Sequence, residues 1–412
     1  KDDSLAFFEQ DASKRMAKVL IMKKAFYMMA AAAIALSSCS SEETTDVAKS
    51  ASITFRPTVG LNSRGVEMTT NDLKEMWVTG FYQKATDVYF SDMKYTLETG
   101  TQNTFIPSSP VFWQEGRTYK FVAISPAKSE WPAGLNITRE EVTCDNFAPN
   151  STISDQKDLI VDAVEANAEQ WGKDLTLNFK HILSQIQIKV KNGNENLVYN
   201  IKAVRINSVV GKKKFAYSTS TKNCTWRNIE GVKSDTKYEL TFANPYKLDG
   251  KNTTELTLTS ADANVSNGGG AMLIPQNVTA WDGAKVDDNK AYNGGTYISI
   301  YLNVKMASGN KFMYPAGAQG ELTYGWVAIP VPAINWEEGN KYIYTLDMST
   351  GCGKVDPVDP GTNVNPGGKV DPDAPKDPEK GDNVFGKAIK FTVNVLEWTD
   401  KFGDTNSGKL EM

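Results

Sequence analysis

The sequence predicts an all-β protein: two tandem β-sandwich domains with a C-terminal tethered strand. Three observations predict it. From Ser52 onward, short segments alternate apolar and polar side chains with a period of two, the mark of strands with one buried face. Gly, Asn, Asp and Pro part these segments, and hardly any stretch carries the period of an amphipathic helix. Their number fits a sandwich, and 412 residues is long enough for two.

Strands are expected at 53–59, 76–83, 118–124, 175–180, 182–190, 204–209, 238–242, 255–258, 296–305, 321–327 and 341–347. A short helix is expected within 158–170, where Ala, Glu and Val cluster. In "LTLNFKHILSQIQIKV" the apolar face is odd through Leu175, Leu177 and Phe179, then even through Ile182, Ile186, Ile188 and Val190. A side-chain phase flips only through an extra residue, so a bulge or break is expected near His181. It divides a first domain, 52–180, from a second, 181–350.

Residues 351–387 form the tether. They hold Pro357, Pro360, Pro366, Pro372, Pro375 and Pro378, and "GKVDP" occurs in them twice. Such a composition builds no core of its own and favours extended conformations. Behind it, residues 388–400 set apolar Ile389, Phe391, Val393 and Val395 against polar Lys390, Thr392 and Asn394, a strand in need of a sheet. A polar tail, 401–412, follows.

The composition is ordinarily globular, with 40% apolar and 23% charged residues. The net charge of −4 is spread without long basic runs, so nucleic acid is not expected as a partner. Residues 1–21 show no structural pattern and precede a start at Met22. Residues 22–38 read as an export signal, with Lys23 and Lys24 ahead of an apolar run too short to span a membrane. Leu36-Ser37-Ser38-Cys39 resembles a bacterial lipobox, which makes Cys39 the lipidation site. The linker 39–51, acidic just after that cysteine, resembles a surface-export tag. Lipidation of Cys39 would leave Cys144, Cys224 and Cys352, which allow at most one disulfide and fit no zinc spacing.

Catalytic motifs are missing. The one histidine, His181, lies inside a strand pattern and reads as a core or junction residue, with no nucleophile elbow beside it. No phosphate-binding glycine loop appears, and Glu140, Glu141, Glu337 and Glu338 sit in turn-like contexts. Trp113, Trp131, Trp226, Trp281, Trp326 and Trp336 read as packing residues, although aromatic rings also stack on sugars. No enzyme, metal or cofactor is expected.

Several stretches together resemble one family. They are "MWVTGFYQ" at Met76, "VFWQEGRTYKFVAISP" at Val111, "DLIVDAV" at Asp158, "LTLNFKHILSQIQIKV" at Leu175, "AMLIPQ" at Ala271 and "WEEGNKYIYTLDM" at Trp336. In order and spacing these are similar to the fimbrillins, lipoprotein-derived subunits of the type V pili of Gram-negative bacteria. The resemblance implies two transthyretin-like β-sandwiches, an N-terminal lipid on Cys39 in the precursor and no cofactor. It implies that an Arg-specific surface protease removes the first strand, Ile53, Phe55 and Val59, by cutting between Arg64 and Gly65. A neighbour's C-terminal strand, Ile389, Phe391, Val393 and Val395, then fills the groove, with Phe391 as the main anchor. The implied partners are other pilus subunits, in a homopolymer or a mixed pilus, that protease, and the outer membrane through the lipid anchor. The implied role is adhesion and biofilm formation at the cell surface. The alternative is a monomeric surface lipoprotein that binds glycans or host protein.

Overall fold

Alternation of side chains dictates the first half of the molecule. The computed structural model describes residues 52–59, 72–83, 87–251, 255–264, 269–286, 290–309, 311–316, 322–362, 364 and 377–397, and the backbone of 408–411. The strands of this half are β1 (Phe55–Val59), β2 (Glu75–Tyr82), β3 (Val88–Leu97), β4 (Phe105–Pro107), β5 (Thr118–Ser125), β6 (Asn136–Ile137), β7 (Glu141–Phe147), β8 (Ile160–Asn167) and β9 (Leu175–His181). Seven of them close a barrel in the order β1-β4-β3-β2-β5-β8-β9. Its interior holds Phe55, Val59, Met76, Val78, Tyr95, Phe121, Leu177 and Phe179.

The second half carries β10 (Ser184–Lys191), β11 (Leu197–Val209), β12 (Lys213–Ser218), β13 (Cys224–Asn228), β14 (Thr236–Asp249), β15 (Leu256–Thr257), β16 (Ala271–Leu273), β17 (Gln276–Val278), β18 (Tyr297–Met306), β19 (Phe312–Tyr314), β20 (Gly325–Pro330), β21 (Ile334–Trp336), β22 (Asn340–Asp347), β23 (Lys354–Val355), β24 (Lys390–Glu397) and β25 (Gly408–Glu411). One sheet runs β15-β10-β22-β24-β25 and the other β14-β11-β18-β20-β23. Ile186, Ile188, Tyr199, Ile201, Ile300, Val327, Tyr344 and Leu346 from both sheets form one core. The chain is all-β, as the alternation predicts.

The expected phase flip is a break. β9 ends at His181, Ile182 and Leu183 are buried outside any strand, and β10 begins at Ser184 in a different sheet. The two halves also share a sheet, β13-β12-β7-β6, in which Phe215 lies opposite Cys144 and Ala216 opposite Thr143. Its far end is clamped to the barrel by buried Lys120, whose Nζ reaches Thr219 Oγ1 at 3.3 Å and Glu165 Oε1 at 3.0 Å. Lys222 Nζ meets the buried Asp162 Oδ1 at 2.8 Å. Residues Ser50–Met412 accordingly make one compact unit.

Three expectations need correction. The helix within 158–170 is strand β8 followed by a single 3-10 turn, Ala168–Gln170. Both faces of β8 are covered, so Ile160, Val161, Asp162 and Ala163 are all buried and the run loses its period of two. The described parts of the tether, 351–362, 364 and 377–387, are no free leash: Cys352, Val355 and Asp356 are buried, and β23 pairs with β20. Its two arms are laced together by Gly381 N–H to the Val355 carbonyl at 2.9 Å and Val384 N–H to the Gly353 carbonyl at 3.0 Å. A Pro- and Gly-rich segment has no core of its own, but this one borrows that of the sandwich. The polar tail, lastly, contains β25, paired with β24.

Candidate functional site

β1 completes the barrel by lying between β4 and β9. It runs parallel to β9, with Phe55 opposite Leu175, Pro57 opposite Leu177 and Val59 opposite Phe179, and antiparallel to β4 through Phe55 and Phe105. Ile53 and Phe55 are 1% and 0% exposed, and Val59 is 0% exposed. The Phe55 ring stands edge-on to Tyr95 at 5.0 Å and to Phe121 at 5.4 Å. Its outer face is polar. Thr54 Oγ1 donates to Asp174 Oδ1 at 2.6 Å, Arg56 Nη2 donates to Asp174 Oδ2 at 3.0 Å, and Thr58 Oγ1 donates to Asn178 Oδ1 at 2.8 Å.

β24 pairs with β22 over its full length, Phe391 opposite Leu346 and Val393 opposite Tyr344. Of the four apolar residues expected to face a sheet, only Val393 is fully buried; Ile389, just ahead of β24, and Phe391 and Val395 within it are partly buried against the sandwich core. Phe391 is therefore not the most buried anchor of the strand in its own domain. The expected lipidation site Cys39 and cleavage pair Arg64 and Gly65 lie outside the described residues, as do 1–51.

The segment 351–362 straps the outer face of the β18–β20 sheet. Asp356, 1% exposed, accepts from Tyr297 Oη at 3.1 Å and Ser299 Oγ at 2.5 Å. Arg205 lies over the Trp326 ring at 3.8 Å and is paired to Asp359 at 2.9 Å and Glu239 at 2.6 Å. Burial works to raise the Asp359 carboxyl, and the hydrogen bond and charge of Arg205 outweigh it, so the net shift is downward. Composition gave no signal for this strap beyond the acidic residues among its prolines.

His181 is buried, its Nδ1 2.7 Å from Asp158 Oδ2, as a junction residue would be. Trp113, Trp281, Trp326 and Trp336 are buried, Trp226 packs partly buried against Phe215 and Phe147, and Trp131 packs partly buried against the same cluster. A polar cleft of about 450 Å³ is lined by Lys213, Trp226, Gln276, Asn335 and Glu337. Cys144, Cys224 and Cys352 are free thiols. Among the described residues no cluster of His, Cys, Asp and Glu is arranged to hold a metal ion. Among the described residues, too, no helix is long and apolar enough to cross a membrane.

The regular structure of the described residues is almost entirely strands, in an all-β fold. The family model described as fimbrillin-like matches residues 62–366, and the chain belongs to that family. The match begins after β1 and stops before β24. Membership places the chain among fimbrial proteins of the cell surface, a structural and not an enzymatic class. No curated protein matches the chain. A fimbrial protein from Bacteroides vulgatus is 15% identical over 84% of this chain and 99% of its own, with a TM-score of 0.48. A structure described as that of a candidate cell adhesion protein from Bacteroides uniformis is 13% identical over 84% and 99%, with a TM-score of 0.42. These likenesses are distant, and the family assignment rests on the sequence match.

Proposed function

We propose that the chain is a pilus subunit, made as a lipoprotein, that polymerises by exchange of the barrel's closing strand. Lipid on Cys39 holds the precursor at the outer membrane, and an Arg-specific surface protease cuts between Arg64 and Gly65. Loss of β1 then opens a groove between β4 and β9, and β24 of a neighbour fills it. The protein acts as a structural element in adhesion and not as an enzyme. The barrel and the sandwich serve as its two domains, 52–180 and 181–350, joined by their shared sheet.

The observation that carries this reading is the place of β1. It is one short strand between β4 and β9, buried on one face, and it leaves the described chain at Val59, ahead of Arg64. A cut there frees β1 without breaking any other strand among the described residues. Strand addition of this kind gains main-chain hydrogen bonds along an edge and seats alternate side chains in pockets. It also removes an aggregation-prone edge.

The energetics favour transfer. Fully burying an aliphatic or aromatic side chain is worth about 1.5–3 kcal/mol, on the order of 10 kcal/mol for four before ordering costs. At home Ile389, Phe391 and Val395 are only partly buried, whereas Ile53, Phe55 and Val59 in the barrel are 0–1% exposed. Exchange moves the donor from the poorer seat to the better one. Phe391→Asp tests it: the variant should give folded monomers on the cell surface and no filaments, and filaments at the normal yield would contradict the mechanism.

A further inference from the structure

Resting on the strand-exchange reading, we propose that β24 of a second copy of this chain enters the β1 seat in the direction of β1, parallel to β9. Ile389 then takes the place of Ile53, Phe391 of Phe55, Val393 of Pro57 and Val395 of Val59. Lys390 is set against Asp174.

The shape of the groove argues for this direction. Period-two alternation keeps the apolar face of β24 inward whichever way it enters. The difference lies in which side chain meets which pocket. The Phe55 seat is shaped for a ring, with Tyr95 and Phe121 edge-on at 5.0 and 5.4 Å. Entry in the β1 direction puts Phe391 there. Reversed entry puts Val393 in the ring seat and forces Phe391 into the seat of Pro57, leaving a void in one pocket and excess volume in the other.

Charge argues the same way. Asp174 accepts hydrogen bonds from Thr54 Oγ1 at 2.6 Å, Arg56 Nη2 at 3.0 Å and Thr104 Oγ1 at 3.1 Å. Removal of β1 takes away the first two donors and the Arg56 cation with them. In the β1 direction Lys390 occupies the place of Thr54, whose side chain touches Asp174, and returns a cation to that carboxylate. In the reverse direction Asn394 stands there, and Lys390 lies where Thr58 meets Asn178.

Cysteine pairs in the full chain, assembled into filaments, read the direction. Thr392 replaces Arg56, opposite Thr176, in either direction, so Thr392→Cys with Thr176→Cys reports exchange alone. Lys390→Cys with Asp174→Cys reports the β1 direction, and Lys390→Cys with Asn178→Cys the reverse. On non-reducing electrophoresis the first two pairs should give a ladder of linked subunits and the third should give monomers. A ladder from the third pair in place of the second overturns the direction while leaving exchange intact. Filaments of the first pair with no ladder overturn exchange and the direction with it. Carbodiimide coupling of unsubstituted filaments gives a reading that needs no variant. A Lys390–Asp174 cross-linked peptide is expected, and Lys390 coupled to another carboxylate in its place contradicts the register.

Discussion

Phe55 and Tyr95 meet edge to face inside the barrel, ring centroids 5.0 Å apart at 75°, and both are 0% exposed. Phe55 comes from the strand that closes the barrel and Tyr95 from β3, so this contact ties the closing strand to the body it covers. Phe55→Ala in the uncleaved chain should lose about 3–5 kcal/mol of stability, the usual cost of deleting a buried ring. Denaturant unfolding measures it. A loss below about 1 kcal/mol would show that β1 is not seated in the core.

The strap over the β18–β20 sheet should loosen in acid. Asp359 has its folded pKa lowered, so its contribution is fully present above the unfolded value, about 3.9. That contribution is lost as pH falls through the folded pKa. The amide of Trp326, bonded to the Pro360 carbonyl at 2.9 Å, reports on it. Its hydrogen-exchange protection, corrected for intrinsic rate, should hold steady above about pH 4 and fall as the pH drops below it, whereas constant protection through that drop would mean that the Arg205 pair does not fasten the strap.

The thiols should be inert in the folded protein. Burial pushes Cys144 up, Cys224 up to about 12 and Cys352 well above the ordinary thiol range, and only the thiolate reacts. Iodoacetamide at neutral pH should leave all three unlabelled until the protein is denatured. Rapid native labelling of Cys352 would show that the strap opens on its own.

Much of this architecture was legible in single strands. β1, β9 and β22 each bury alternate residues, so alternation marks them. β8 escaped because both of its faces are covered, and a continuous apolar run carries no phase. β3 escaped because its apolar residues are mostly half-buried and Asp92, at φ 47°, breaks its regularity. The strap was misread for a different reason. Composition reports what a segment can bury by itself, and Cys352, Val355 and Asp356 are buried by partners far away in sequence. The site was legible in part: the shared Ile-x-Phe pattern of residues 53–55 and 389–391 is visible in the sequence, whereas Asp174 as the acceptor beneath β1 emerges only from the parallel pairing with β9.

The central claim, that loss of β1 opens the subunit for a neighbour, is tested most directly by the N-terminal residue of protein sheared from the cell surface as filaments. Mass spectrometry of the terminal peptide should find Gly65. A terminus at lipidated Cys39, with Ser52 to Arg64 still attached, would contradict the account and leave β24 where it lies here, paired with β22 of its own chain.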